Sequence, residues 1–235
     1  MTKERYQHLF FDLDHTLWDF EANARATLSE LHESLNLAAR GVHDFDLFHK
    51  NYLAHNDKLW ERYRKGYIKQ EELRLKRMTL ALLDFKIADE KLAKDLSTTF
   101  LDLLPTRTLL FPGTIEVLDV LVERNYKLHL ITNGFETTQR SKLKYSGLEK
   151  YFIEIITSEC SNSLKPQREI FEFALNRTRA GVSESIMIGD SIEVDIIGAR
   201  DAGMDQVFVN HSNFTGPVEA TYHVRALKEL EEIFV

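Results

Sequence analysis

A strand pattern stands at the head of this chain with no neighbour in sequence to pair with. His8, Leu9, Phe10 and Phe11 make an apolar run too short and too apolar for a surface helix. From Phe20 to Leu104 no convincing strand pattern follows. Glycine is scarce there and apolar residues recur at helical spacing. Leu28, Leu31 and Leu35 make one stripe, and Phe48, Tyr52, Leu59 and Tyr63 a second. Leu73, Leu80 and Leu83 make a third, and Leu92, Leu96, Phe100 and Leu103 a fourth, with breaks near Gly41, Gly66 and Lys86. Pro105 closes this block, and strands and helices then alternate. The pattern predicts strands over 127–132, 151–157, 185–188, 206–209 and 222–224, with helices over 114–124, to Tyr145, and over 167–178, 193–201 and 226–233. Such alternation requires a parallel sheet covered on both faces. The expected architecture is therefore α/β, a Rossmann-like parallel-sheet core made of residues 1–17 and 106–235, with an inserted all-helical domain over 18–105. Ligands of parallel sheets bind beyond the carboxyl ends of the strands. An insertion leaving from that edge is expected to act as a lid.

Those strand ends carry the chemistry. Asp12 and Asp14 follow the first strand two residues apart, which sends both side chains to one face. Two acids so placed repel unless a cation lies between them or one holds a proton. They suit metal-assisted chemistry on an anionic substrate; the plainer alternative is a helix-capping acid beside a solvated one. Thr132, Asn133 and Gly134 end the next strand with a hydroxyl, an amide and approachable backbone N–H groups, the makings of an oxyanion cradle or of an ordinary N-cap. Lys165, before Pro166 at a helix mouth, is either a point charge for a phosphate or a solvated lysine. Asp190 ends a further strand, with Asp195 one turn into the following helix. An acid at a strand end can complete an oxygen shell for a divalent cation, or cap the helix.

Composition narrows the partners. A net charge of -7 argues against a nucleic-acid polymer or an anionic membrane but not against a small anion in a local positive pocket. One cysteine, Cys160, excludes an internal disulfide, suits a reducing compartment, and is expected to be a small buried hydrophobe. MTKERYQHLFF has no apolar stretch suited to a signal peptide, and no segment approaches the roughly 18 apolar residues of a membrane span. A cytoplasmic protein, monomeric or weakly homo-oligomeric, is expected.

Taken as an ordered set, DLDHT, ITNG, KP and GDSIEVD resemble the four motifs of the haloacid dehalogenase superfamily of phosphohydrolases. The helical insert between the first and second motifs looks like that superfamily's helical cap of the first type. The resemblance implies that Asp12 is the nucleophile, forming an aspartyl-phosphate, and that Asp14 protonates the leaving alcohol and then activates water. It implies Mg²⁺ held by Asp12, the backbone carbonyl of Asp14, and Asp190. Thr132, Asn133 and Lys165 would hold the phosphoryl oxygens, with Asp195 orienting Lys165 or a metal-bound water. An acid at position 14 favours phosphate esters over halides, since a halide leaves without a proton. LWERYRKGYI, ITNGF followed by Gln139 and Leu143, and SGLEKYF look like the branch acting on pyrimidine nucleoside 5′-monophosphates. The expected substrate is thus a small phosphorylated metabolite, a nucleotide. The alternatives are a sugar phosphate or phosphoglycolate, or a non-catalytic binding role on the same scaffold. Trp18, Phe20, Trp60, Tyr63 and Tyr67 are expected to pack the insert and its seam, with stacking on a pyrimidine as the alternative. Arg62, Arg64, Lys65, Arg74, Lys76 and Arg77 are expected on solvated helix faces.

Overall fold

The computed structural model describes residues 5–235 and divides into two compact units, Met1–Phe20 with Thr108–Val235, and Glu21–Arg107. The first contains a six-stranded parallel sheet: β1 His8–Phe11, β2 Lys127–Thr132, β3 Glu154–Thr157, β4 Ser185–Gly189, β5 Asp205–Val209 and β6 Tyr222–Val224. Their order is β3-β2-β1-β4-β5-β6. The chain steps outward from β1 in one direction and from β4 in the other. The switch point, where a parallel sheet opens a crevice, therefore lies between the carboxyl ends of β1 and β4.

Both faces of the sheet are dry, so its strands read as unbroken apolar runs rather than alternating ones. Phe10, Ile131, Ile156 and Met187 share one face and pack with Ile170, Phe171 and Ala174 of a helix at Arg168–Thr178 and with Ala199 and Ala202. Phe10 is fully buried, and its truncation to alanine would cost about 3–5 kcal/mol.

The strands fall where periodicity puts them, with one shortened. The expected strand over 151–157 begins only at Glu154, because Glu149–Tyr151 tighten into a 3₁₀ turn. Leu148 accepts from the Tyr151 amide, and the Tyr151 hydroxyl donates to Asp119 at 2.7 Å. The expected helix over 193–201 is a π-turn at Ile192–Ile197 running into a short α-helix, Gly198–Asp201. Cys160 is exposed rather than buried. Its thiol accepts from the Thr157 amide at 3.2 Å within the four-residue helix Ser158–Ser161.

The second unit is all-helical. It contains α2 Phe45–Arg64, α3 Gln70–Leu83, α4 Glu90–Leu103 and most of α1 Phe20–Ser34. Asp44 and Asp89 cap α2 and α4 by accepting from Leu47 and Leu92 at 2.9 Å. In α3 the buried face is Leu73, Arg77, Met78, Ala81 and Leu82, while Leu83 is exposed. The expected leucine stripe is thus rotated toward Arg77, which is buried rather than solvated. Its guanidinium donates to Asn56 Oδ1 at 3.1 Å and lies over the Phe100 ring at 5.1 Å. Lys65 and Lys76 do face solvent, in pairs with Glu61 and Glu72 one turn away.

Two histidines are built into the sheet. His8 and His129 are buried, their rings stack at 5.2 Å, and His8 Nδ1 lies 3.0 Å from His129 Nε2. Burial, with His8 and Lys127 nearby, pushes His129 down to about 3. The folded chain thus refuses a proton that the unfolded chain accepts below about pH 6.5. Stability is present above that value and drains away as pH falls toward 3. Acidifying from pH 6.5 to 5 should cost about 2 kcal/mol through this residue, or roughly 4–8 °C in Tm. His129→Leu should lose less Tm over that interval than wild type in parallel melts; equal slopes would contradict the assignment.

Candidate active site

The sheet delivers its polar groups to the crevice at the switch point. Asp12 follows β1, and its amide donates to Ile188 of β4 at 2.9 Å. The chain then turns sharply. Leu17 and Trp18 donate back to the Leu13 carbonyl, His15 takes a left-handed φ of 65°, and the His15 amide donates to Trp18. This hook places Thr16 so that its hydroxyl donates to Asp190 Oδ1 at 3.0 Å. His211, stacked on Phe111 at 3.8 Å, lies with Nε2 3.0 Å from the Thr16 carbonyl.

Lys165 is the centre of the arrangement. It is 1% exposed, and its ammonium donates to Asp12 Oδ1 at 2.6 Å, Asp195 Oδ1 at 2.7 Å and the Ile131 carbonyl at 2.7 Å. All three ammonium hydrogens are thereby placed. Burial alone would drive this lysine toward neutrality. Asp12 and Asp195 outweigh that and hold it above its ordinary value. Asp195 is likewise committed, since its other oxygen accepts from the Ser191 amide at 3.0 Å. The π-turn is what aims it. Both the Asp195 and Ile196 amides donate to the Ser191 carbonyl, widening the turn so that Asp195 faces the lysine.

Asp12, Asp190 and Asp195 bring carboxylate oxygens within 4.8 Å of one another. Burial, with the neighbouring acids adding to it against Lys165, raises Asp12 to about 8; burial with Asp195 raises Asp190 to about 7. Three acids facing one lysine crowd more carboxyl groups together than that ammonium can balance if all ionise. Hard oxygen donors of this kind suit a divalent cation such as Mg²⁺. With Asp195 spent on Lys165 and Ser191, Asp12 and Asp190 are the side chains placed to hold one.

Thr132 ends β2, and its hydroxyl oxygen accepts from the Gly134 amide at 3.1 Å and from Gln139 Nε2 at 2.7 Å. With both lone pairs engaged, its proton is directed elsewhere and can donate to an anion. Gly134 is required by its neighbour, since a Cβ there would stand 2.3 Å from Gln139 Cδ. Asn133 has a further role that its sequence position did not suggest. Its side chain clamps the Lys165 backbone, accepting from that amide at 2.7 Å and donating one of its two N–H groups to that carbonyl at 2.9 Å. The loop bearing a buried lysine needs such an anchor; the Lys165–Pro166 bond within it is cis. Asp14 stands apart from the carboxylate cluster and is met by Lys142 at 2.5 Å and Gln139 at 3.0 Å. Thr16, Gln139, Lys142, Ser191 and His211 went unassigned in sequence. Burial of Gln139 and Lys142 on a helix of otherwise polar texture is the mark they carry, and it is visible only in three dimensions.

Trp18 and Phe20 are buried, the packing role expected of them. In the helical unit Trp60 and Tyr63 make an edge-on pair at 5.7 Å, and Tyr67 is exposed.

The family model described as haloacid dehalogenase-like hydrolase matches residues 6–203. The chain belongs to this family. Pyrimidine 5′-nucleotidase PynA of Streptococcus pneumoniae is 32% identical over 229 residues, covering 96% of this chain and 93% of that protein. Pyrimidine 5′-nucleotidase YjjG of Escherichia coli is 28% identical over 232 residues, covering 97% and 98%. The crystal structure of the putative hydrolase YfnB of Bacillus subtilis, described as bound to magnesium, superposes with a TM-score of 0.88 at 28% identity, covering 98% of this chain and 99% of that one. As a haloacid dehalogenase-like hydrolase the chain is an enzyme, and Mg²⁺ is the metal such hydrolases generally use. Among the described residues no helix is long and apolar enough to cross a membrane.

Two outcomes follow from this geometry. A Cβ on Gly189 would stand 2.4 Å from Asp195 Oδ2. Gly189→Ala should therefore dislodge Asp195 from Lys165, lower Tm by several degrees, and cut turnover of p-nitrophenyl phosphate by more than about tenfold. Raised carboxyl groups weaken the metal-free fold as pH climbs from about 4 through 8, because the fold holds protons that the unfolded chain releases. A cation offsets that loss only where the groups ionise. The Tm gain on adding Mg²⁺ should thus be larger at pH 8 than at pH 5.5, and Asp190→Asn should lose most of it.

Proposed function

We propose that this hydrolase removes the phosphate of a pyrimidine nucleoside 5′-monophosphate through an aspartyl-phosphate. The observation that carries the chemistry is the pairing of Asp12, gripped on one oxygen by a buried ammonium, with Asp14 two residues on, held by a second ammonium outside the carboxylate cluster. Asp12 attacks phosphorus as the ester P–O bond breaks, and the departing alkoxide takes a proton from Asp14. Asp14 then accepts a proton from the water that attacks the acyl phosphate, so that inorganic phosphate leaves and Asp12 is restored. Thr132 donates its remaining proton to a phosphoryl oxygen, and the backbone at Asn133 and the charge of Lys165 balance the phosphoryl group's developing charge. Asp195 holds Lys165 in register. Mg²⁺, held by Asp12, Asp190 and the Asp14 carbonyl, would offset the repulsion between carboxylates and phosphate.

Support for the nucleotide comes from the relatives. The two pyrimidine nucleotidases match along nearly the whole chain, helical unit included, and not the sheet alone. The test is a release assay for phosphate over nucleoside monophosphates, sugar phosphates and phosphoglycolate, with Mg²⁺ or with EDTA. Pyrimidine nucleotides should lead by about tenfold or more in kcat/KM, and EDTA should abolish turnover. A lead for a sugar phosphate or phosphoglycolate would replace the substrate; turnover of none of them would revive a binding role. Asp14→Asn should lose about 10²-fold or more in turnover of alkyl esters while inorganic phosphate still inhibits.

A further inference from the structure

We infer that Lys142 and Gln139 are positioning residues that set the orientation of the Asp14 carboxyl group. The inference rests on the reading of Asp14 as the proton donor to the leaving oxygen. Both residues belong to the helix Glu136–Tyr145 and lie one turn apart, so both face the same neighbour. Lys142 Nζ donates to Asp14 Oδ1 at 2.5 Å, and Gln139 Nε2 donates to Asp14 Oδ2 at 3.0 Å. A carboxyl group held on each oxygen from two separate points has its plane fixed, whereas one contact would leave it free to swing.

The burial of the pair argues that they exist for this task. Lys142 is 3% exposed and Gln139 fully buried. The Lys142 ammonium lies over the Trp18 ring at 4.3 Å and the Phe20 ring at 5.7 Å, and its ion pair is with Asp14. Lysines are almost never fully buried without a partner. A solvated end for this helix would need neither the burial nor the aromatic walls. Gln139 adds a second link, because its amide nitrogen also donates to the Thr132 hydroxyl oxygen. One amide group thus spans the proton donor and the phosphate-facing hydroxyl, holding the leaving oxygen's partner in fixed relation to the anion's partner. Small errors of placement at such a distance cost rate heavily.

Leaving-group dependence reads this role directly. Phenol leaves poorly and p-nitrophenol well, yet the two phosphate esters have nearly the same shape. The kcat/KM for each reports the steps through departure of the alcohol. Lys142→Met keeps length and removes the charge. It should lower kcat/KM for phenyl phosphate by about tenfold or more and for p-nitrophenyl phosphate by less than about threefold. The ratio is measured on one sample, so a partly unfolded fraction cancels. Should Lys142→Met prove insoluble, Gln139→Leu is read by the same ratio. Asp14→Asn serves as the reference and should show the same skew more strongly, and Lys142→Met added to it should skew the ratio no further. An equal fall on both esters in the Lys142 or Gln139 variant, with the skew retained in Asp14→Asn, overturns the positioning role. No skew in Asp14→Asn itself overturns the reading of Asp14 and this inference with it.

Discussion

The structure turns on one buried ammonium. Lys165 joins Asp12 at the end of β1, the carbonyl of Ile131 in β2, and Asp195 in the turn after β4. Those contacts tie together three strands that are neighbours in the sheet but lie far apart in the chain. An unpaired lysine at this depth would cost several kcal/mol in desolvation, and the acids would cost as much without it. The ion pair is therefore weak evidence for stability and strong evidence for a site. Hydrophobic residues could fill the same space at less cost, so the charges are there for something other than packing. What the lysine leaves uncompensated is as telling as what it compensates. Asp190 accepts from the Thr16 hydroxyl, and burial with Asp195 beside it raises its affinity for a proton.

Around that centre the backbone is shaped to serve side chains. The π-turn at Ile192–Ile197 abandons regular helical bonding so that Asp195 can accept from Ser191 and face Lys165 together. Gly189 and Gly134 lack side chains for the same kind of reason. A Cβ at either would strike the residue that steadies a functional group, Asp195 in one case and Gln139 in the other. Asn133 clamps both backbone groups of Lys165 and so fixes the root of the side chain whose tip joins the two acids. These are expensive local choices, and they cluster at the carboxyl ends of β1, β2 and β4, where the sheet reverses its order.

Much of this was legible in the amino-acid sequence because parallel sheets impose long apolar runs that end abruptly. The runs at 8–11, 127–132 and 185–188 located the strand ends, and the acids, hydroxyl and amide just beyond them were conspicuous for breaking the apolar pattern. The helical stretch was recognisable by period, yet the face it buries was not. In α3 a buried arginine, acceptable because of Asn56 and the aromatic faces of Tyr52 and Phe100, displaces the leucine stripe. Periodicity assigns hydrophobic residues to the inside and is blind to a polar residue that brings its partners with it. Lys142 escaped notice for that reason, and Gln139 was singled out only as part of a motif, without a role. The helix that bears them is strongly polar, and Leu143 alone of its buried residues is apolar, too little for a periodic signature. Asn133 was read by its chemistry, as an amide near an anion, and that reading could not show the amide also holding a neighbouring loop.

The two acids that follow β1 show how one fold can divide labour between like residues. They follow the same strand two residues apart, and their spacing alone gives no reason to treat them differently. Asp12 is drawn into the dry crevice, where burial and two other acids raise its affinity for protons against the pull of Lys165. Asp14 lies beyond the crevice rim, partly exposed, with Lys142 and Gln139 on its two oxygens. Two like residues so close in the chain are thus given different partners and different burial. Here the separation is made by different parts of the chain. The sheet and the turn after β4 govern Asp12, while a single helix after β2 governs Asp14. Each acid can then be adjusted without disturbing the other, which a shared partner would forbid.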